Sequence, residues 1–485
     1  MSTIHLWDNT WHVAGWSPND SRQDPYGRKP ESISISRSSS ILRSLSSATI
    51  GELMKSENGQ VIVLPNSFRE GNEELKDQYI FRVTEKDGQN IDSVTTGNIV
   101  GFIGMGKEKG GLNIHIHSRF SLNDEKGKRN DSFLYYMLEK VMAINTFSYS
   151  SSSGSKDIQV FDFLLFFFPK LLKEALSQGM YKEYVHHEYN DASIRGAVDI
   201  NRHIRRNIPS NGRIAYKTRE FSYDNTVTQL IRHTIEYIRR KPFGRAVLHN
   251  DPDTEGYVQQ IILATPTFQI QKRQTILNEN LRPVTHPYYT KYTALQNLCL
   301  RILRYEKLSY GEAGDKIHGI LIDAAWLWEE YIAQVLAEGS DFKHYRRKDG
   351  FPLLRREDNG RQFQTIIPDY LDDSDPNNVF VADAKYIPLD RFDNLSADRA
   401  AAIYYKTIMY MYRFNSRKGF LFHPLPTDNH NPDITEYLII DTSGSLYEVG
   451  LQIPLVQKDD YSDFKRTMKE RENKMRDTIY EAIKK

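Results

Sequence analysis

The sequence predicts a multidomain α+β protein with a small N-terminal β domain, a central helical domain and a C-terminal α/β domain on a mixed sheet. Three observations predict it. Between Val61 and His117, the runs Val61-Ile-Val-Leu, Tyr79-Ile-Phe-Arg-Val, Asn98-Ile-Val-Gly-Phe-Ile and Leu112-Asn-Ile-His-Ile-His are separated by Gly, Asn and Asp, as strands are by turns. From Val160 to Lys241 the chain is helical around a distinctive polar insert. From Leu321 onward a helix, three strands, a second helix and a further strand follow in order.

The 485 residues suffice for two or three domains. Charged residues make up 26% and aromatics 12%, which excludes a disordered tail. Cys299 is the only cysteine, so an internal disulfide and a cysteine zinc cluster are excluded and a reducing, cytoplasmic setting is expected. Met1-Ser-Thr-Ile-His-Leu-Trp-Asp lacks a signal pattern, and Phe161–Phe168, closed by Pro169, is too short to span a bilayer.

Taken in order, residues 1–60 are Ser-rich and are expected as a flexible segment; 61–147 form the β-rich domain. Gly101, Gly106 and Lys107 match the start of a phosphate-binding loop, but Glu108 stands where a hydroxyl should hold magnesium. The chain then enters a strand, so a glycine-rich turn is expected and no nucleotide cofactor. His115 and His117 share one strand face and read as a surface pair. A helix is expected from Ser132 to Ile144, and Ser148–Ser155 reads as a linker.

The central domain, 156–310, carries a basic insert. Residues 195–245 hold 12 Lys and Arg against four acids, enough to neutralise several backbone phosphates. Arg195, Arg202, Arg205, Arg206, Lys217 and Arg219 are the candidate DNA-binding residues of that DNA-facing insert; a solvated helix face is the plainer reading. Asp224 or Asn225 can cap the helix beginning at Thr226. Cys299, between Leu298 and Leu300, reads as core.

The C-terminal domain, 318–450, opens with a helix from Leu321 to Leu336 whose apolar stripe is Leu321, Ala325, Trp328, Ile332 and Val335. Glu329 then borders the buried face and Glu330 looks outward. Strands are expected at 342–346, 362–370 and 379–385. A helix from Ala397 to Tyr412 is expected to bury Ala401, Tyr405, Ile408, Met409 and Tyr412. Asp383 and Lys385 lie on one face of an extended chain, and the turn Asp373-Ser-Asp-Pro-Asn-Asn can bring Asp369 alongside. Two carboxylates beside a lysine suit a divalent cation that holds a phosphate and a water. Residues 460–485 read as a terminal helix with Phe464, Met468, Met475, Ile479 and Ile483 on one side.

Pro368-Asp369 and Asp383-Ala384-Lys385 resemble the motif of the PD-(D/E)xK nuclease superfamily, and the order of elements around them is similar over about 120 residues. Arg195-Gly196-Ala-Val-Asp199, the basic residues after it, and Asp224-Asn225 opening a helix resemble the central region of the McrC and LlaJI restriction nuclease subunits. The resemblance implies a magnesium (or manganese) dependent DNA endonuclease in a bacterial or archaeal cytoplasm. Asp369, Asp383 and the Ala384 carbonyl would ligate the metal, Lys385 would serve the attacking water, and Glu329 would reach the metal directly or through water. It further implies a separate McrB-like AAA+ GTPase or ATPase, with the N-terminal β region and the central domain as contact regions, and double-stranded DNA as substrate. Lys406 departs from the family pattern, which carries Gln there; it either contacts phosphate as a point charge or faces solvent. Two other readings stand beside this one: a non-catalytic DNA-binding adaptor that stimulates an AAA+ motor, and an autonomous nuclease with its own recognition domain.

Overall fold

The computed structural model describes residues 2–15, 31–33, 39–55, 60–65, 73–86, 90–105, 112–123, 129–142, 163–241, 244–249, 251–308, 317–345, 350–387, 397–426, 434–454 and 461–484. The chain divides into two compact units, residues 1–143 with 313–485, and residues 144–312.

The first unit holds two larger mixed sheets. One is ordered Ser2–Trp7, Leu112–His117, Ile99–Met105, Ile317–Asp323, Gln60–Leu64. Its outer pairs are parallel and its inner pairs antiparallel. Val61 to Leu64 are all buried, as an unbroken apolar run in a covered sheet should be. Gly101 is required where strands 99–105 and 317–323 meet: its φ is +130°, and a Cβ would fall 2.1 Å from the Ile320 carbonyl oxygen. Leu42, Leu45, Ile50 and Leu53, from helices Ser39–Ser47 and Ile50–Lys55, join this sheet's core beside Ile4, Val63, Ile103 and Leu321.

Three expectations change here. Residues 1–60, expected as a flexible segment with at most one strand, hold several paired ones: Ser2–Trp7 pairs with Leu112–His117, and Trp11–Ala14 and Glu31–Ile33 belong to a four-stranded sheet with Asn90–Thr96 and Phe81–Lys86. Such short strands carry too few alternations to stand out from a Ser-rich background. The expected separate domains at 61–147 and 318–450 share one sheet, because 317–323 is hydrogen-bonded between 99–105 and 60–64. Leu321 therefore lies in a strand, and the helix begins at Ala324, capped by Asp323, which accepts from the amides of Ala325 (3.0 Å) and Trp326 (3.2 Å).

The second large sheet is ordered Lys343–His344, Tyr370–Asp372, Phe380–Ala384, Lys418–Pro426, Ser445–Ile453, Ile434–Leu438. Helix Ala397–Phe414 packs on its 380–384 and 418–426 strands, and Tyr461–Lys484 packs on 445–453 and on helices Ser132–Met142 and Ala324–Ala337, burying Phe464, Met468, Met475 and Ile479. The single strand expected over 362–370 is two. Gln362–Ile366 pairs with Phe351–Arg355 in a separate hairpin, and Pro368, which has no N–H to donate, separates it from Tyr370–Asp372. The buried line of 397–414 is Ile403, Thr407, Tyr410 and Met411, while Tyr412 is 86% exposed and Tyr405 and Met409 also face outward. This helix is apolar on both sides, so hydrophobic spacing alone chose the wrong face. Glu330 is buried rather than outward-facing.

The second unit is a helical assembly (Phe163–Leu176, Thr226–Arg239, Pro252–Ala264, Arg273–Glu279, Tyr292–Leu308) that carries a three-stranded antiparallel sheet, Glu183–Asp191, Ile214–Ser222 and Ala197–Val198, with the helix Ile200–Asn207. Asn225 caps the helix at Thr226, its side chain accepting from the amides of Val227 and Thr228. Asp224 turns elsewhere, to Gln229 and the Thr267 amide. Cys299 is fully buried, as expected, and burial pushes its thiol up to about 12. Gly106, Lys107 and Glu108, and the linker 148–155, lie outside the described residues; the strand expected after the glycine-rich turn is present at Leu112–His117.

Candidate active site

The site is built where the strand Phe380–Ala384 ends. Its neighbours are antiparallel Tyr370–Asp372 and parallel Lys418–Pro426, so Tyr370 faces Ala382 and Asp383 faces Leu421 in register. Asp369, one residue before its strand, is thereby brought to the same end. Its Oδ2 accepts the Ala384 amide at 2.7 Å, tying the two strand tips together. Two further bonds fix that end: Tyr345 N to Asp369 O at 3.1 Å and Lys385 N to Phe422 O at 2.8 Å.

Asp383 is wholly buried. One carboxylate oxygen, Oδ2, makes an ion pair with Lys385 Nζ, and the other, Oδ1, is 3.5 Å from Lys406 Nζ. Lys406 is 44% exposed, in line with the solvent-facing reading, and its ammonium also approaches the Asp383 carboxylate. Tyr410 donates to the Ile367 carbonyl at 2.6 Å and fixes the Lys406 helix against the approach to Pro368-Asp369.

Glu329 enters from the helix Ala324–Ala337. Its Oε1 lies 2.8 Å from His344 Nε2, and its carbonyl accepts the Tyr370 hydroxyl at 2.5 Å. Trp328, fully buried, donates Nε1 to the Phe422 carbonyl at 3.3 Å and sets this helix against the sheet. His344 is a residue that sequence reasoning missed; a lone histidine in a short strand carries no signal of a partner 15 positions earlier.

The electrostatics tie the groups together. Burial, then the charge of Asp369, holds the Glu329 carboxyl above its usual range against the pull of His344. Burial brings the Lys385 amine down to about 8; Asp369 and Glu329 oppose that shift and Lys406 adds to it. Burial also works against the Lys406 ammonium, but Asp369, Tyr410 and Glu329 together keep it above the ordinary lysine value. The arrangement is two carboxylates at one end of the sheet, a third that feels the charge of Asp369, and one proton-labile and one firmly charged amine.

Among the described residues no three His, Cys, Asp or Glu side chains stand together as a ready ion cage. The donors nevertheless fit a hard divalent cation in kind: Asp369 and Asp383 offer hard carboxylate oxygens at one end of the sheet, and lysines now neutralise Asp383. No described helix is long and apolar enough to cross a membrane.

The basic insert is less free than its composition suggests. Arg202 is only 14% exposed, pairs with Glu188, and donates to the carbonyls of Tyr189 (2.6 Å) and Tyr216 (2.8 Å). Lys217 is 2.8 Å from Asp199, and Arg195 meets the Tyr216 hydroxyl at 3.0 Å and Asp191 at 3.4 Å. Arg205, Arg206 and Arg219 are exposed, with Arg219 over the Tyr184 ring. His115 and His117 are joined by His5 from the paired strand; His5 Nδ1 lies 2.9 Å from His117 Nε2, and His117 Nδ1 lies 2.6 Å from Asp131.

A mixed α/β chain with two aspartates and a lysine at adjoining strand ends, and a second lysine reaching them from a helix, is the class of protein that fold and site define. Residues 94–424 match the family described as McrBC 5-methylcytosine restriction system component. The chain belongs to that family, as its resemblance to McrC subunits anticipates. No curated protein matches it. Among solved structures it is similar to a chain of the half-complex from the tetradecameric assembly of Thermococcus gammatolerans McrB AAA+ hexamers with bound McrC. The identity is 15% and the TM-score 0.44, over 97% of this chain and 100% of that one. It is also similar to a chain of the Thermococcus gammatolerans McrBC complex, at 14% identity and a TM-score of 0.30, over 69% of this chain and 87% of that one.

Proposed function

We propose that the chain is a divalent-metal-dependent DNA endonuclease subunit of a McrBC-type restriction system, with a PD-(D/E)xK nuclease core in residues 318–450. The observation that carries this reading is the meeting of Asp369, Asp383 and Lys385 at adjoining strand ends, with Lys406 reaching Asp383 from the helix Ala397–Phe414. Asp369, Asp383 and the Ala384 carbonyl would hold Mg2+ or Mn2+. When bound, the ion supplies Lewis acidity at a phosphoryl oxygen and a more acidic water.

The protein's own groups do the rest. With its amine brought down to about 8, Lys385 is partly neutral near pH 7 to 8 and takes a proton from water at Nζ. Lys406 keeps its charge and would stabilise a phosphodiester oxygen. Glu329, held by His344, borders the metal ligands. Arg205, Arg206 and Arg219 are the exposed cations best placed for the DNA backbone. Arg195 and Lys217 would have to exchange their present acidic partners, and Arg202 supports the insert from within.

The same insert supports a protein partner. Ile194, Val198, Ile200, Ile204 and Ile208 are all exposed on the insert, apolar side chains that phosphate would not reward. The reading assigns that partner as a McrB-like AAA+ NTPase in a bacterial or archaeal cytoplasm, like the McrB bound to McrC in the Thermococcus assembly. The insert's exposed isoleucines, with the exposed Arg205, Arg206 and Arg219, would serve equally the second reading, a non-catalytic DNA-binding adaptor that stimulates the motor.

The test incubates the chain with plasmid, Mg2+, nucleotide and the motor. Asp383→Ala and Lys385→Ala are expected to lower cutting by roughly 10³-fold or more while DNA binding and motor stimulation stay near wild type. Undiminished cutting by both variants removes the nuclease assignment. A wild-type chain that stimulates the motor and never cuts makes it the adaptor.

A further inference from the structure

Tyr386, directly after the candidate catalytic lysine, is almost completely buried and is gripped by the N-terminal half of the same unit. The Arg119 guanidinium lies over its ring at 4.8 Å, Phe120 meets the ring edge-on at 5.3 Å, and the Ser118 hydroxyl is 2.9 Å from its own. Arg119 is in turn fixed. Its Nε and Nη2 donate to Asp8 Oδ2 at 2.9 and 2.6 Å, its amide donates to Asp8 Oδ1, and Nη2 also reaches Asn98 Oδ1 at 2.6 Å. Asp8 has no exposed surface, and its amide donates to the His117 carbonyl at 2.9 Å.

These groups come from two neighbouring strands. Asp8 follows Ser2–Trp7, and Ser118–Phe120 follow Leu112–His117, which pairs with it in parallel register. The two ends therefore move together. On the other side, the strand bearing Asp383 ends at Ala384, and Lys385 keeps one backbone bond to that sheet, to Phe422. Lys385 has left the strand and Tyr386 opens the bend that follows it, one peptide bond further on. A ring held in place at 386 thus restrains the backbone from which the lysine side chain departs.

We propose that Arg119, held by Asp8, is a positioning residue that sets Lys385 through Tyr386. The inference rests on the nuclease reading for its catalytic consequence. It makes the sheet containing Ser2–Trp7 and Leu112–His117 the part of the molecule from which the lysine is held in place.

The experiment uses the full chain with its motor, DNA and Mg2+. Arg119→Met and Tyr386→Ala are expected to lower kcat about 30-fold each with KM for DNA within about twofold, the signature of misplacement rather than lost binding. Tyr386→Phe, which keeps the ring, is expected to stay within about threefold of wild type, and the Arg119→Met, Tyr386→Ala pair to be no worse than either alone. A second readout needs no cutting: amine labelling followed by mass spectrometry should change several-fold at Lys385 in Arg119→Met and stay constant at Lys217. Should Arg119→Met fail to fold, Asn98→Ala loosens the guanidinium while leaving Asp8 paired, and the same directions are expected. Folded variants with wild-type kcat and unchanged Lys385 labelling overturn the proposal. Normal cutting by Asp383→Ala and Lys385→Ala overturns the nuclease reading instead, and the labelling result still decides the clamp.

Discussion

Lys385 and Lys406 sit on the two oxygens of one buried carboxylate, and their surroundings give them different work. Lys385 is mostly enclosed, and its amine comes down to about 8; Lys406 is open to solvent on one side and stays charged. If Lys385 accepts the proton of the attacking water, cutting should rise with pH up to about 8 and then level, because only the neutral amine can take a proton. Lys385→Arg should be inactive at every pH, since a guanidinium does not deprotonate. Lys406→Met is expected to lower the rate about 10- to 100-fold without moving that pH profile, because it removes a point charge and not a base. Initial rates between pH 6 and 9 check all three.

At the scale of the element, two helix starts set the frame. Asp323 caps the helix that presents Glu329, and burial lifts its carboxyl to about 6 from the ordinary 3.8. The folded protein therefore binds more protons than the unfolded chain between those values. Stability from this group is full below 3.8 and is lost as pH rises through about 6. Asp323→Asn keeps the cap acceptor and removes the buried charge, so it should gain on the order of 1–2 kcal/mol at pH 7 and nothing at pH 3.5. Urea melts at the two pH values check the sign. Asn225 has no such conflict; Asn225→Ala should cost about 1–2 kcal/mol at any pH, because it loses acceptance from two amides.

On the scale of the whole molecule, the chain leaves its first sheet, builds the 144–312 unit, and returns to complete that sheet with strand 317–323. A fragment ending at residue 143 lacks the strand between 99–105 and 60–64, so it is expected to aggregate or stay molten. A fragment spanning 144–312 should unfold cooperatively by circular dichroism. The C-terminal helix is likewise part of the body. Glu472 on it is fully buried between the Tyr331 hydroxyl (2.7 Å) and Lys140 (2.8 Å), so Glu472→Ala should cost about 3–5 kcal/mol and lower Tm without touching the site.

The residue types of the candidate site were written in the sequence: Pro368-Asp369 and Asp383-Ala384-Lys385 carry their own spacing, and period-two geometry puts the last aspartate and lysine on one face. The helix at Thr226 with its cap and the buried cysteine were legible for the same local reason. What only the tertiary structure decided are matters of pairing at long range. Strand 317–323 finding partners more than 200 residues earlier, His344 meeting Glu329, Asp8 and Arg119 closing on Tyr386, and the face by which helix 397–414 packs all depend on neighbours that no local pattern names. Local backbone preference acts over a few residues, whereas burial and ion pairing are settled by whichever surfaces the whole fold brings together.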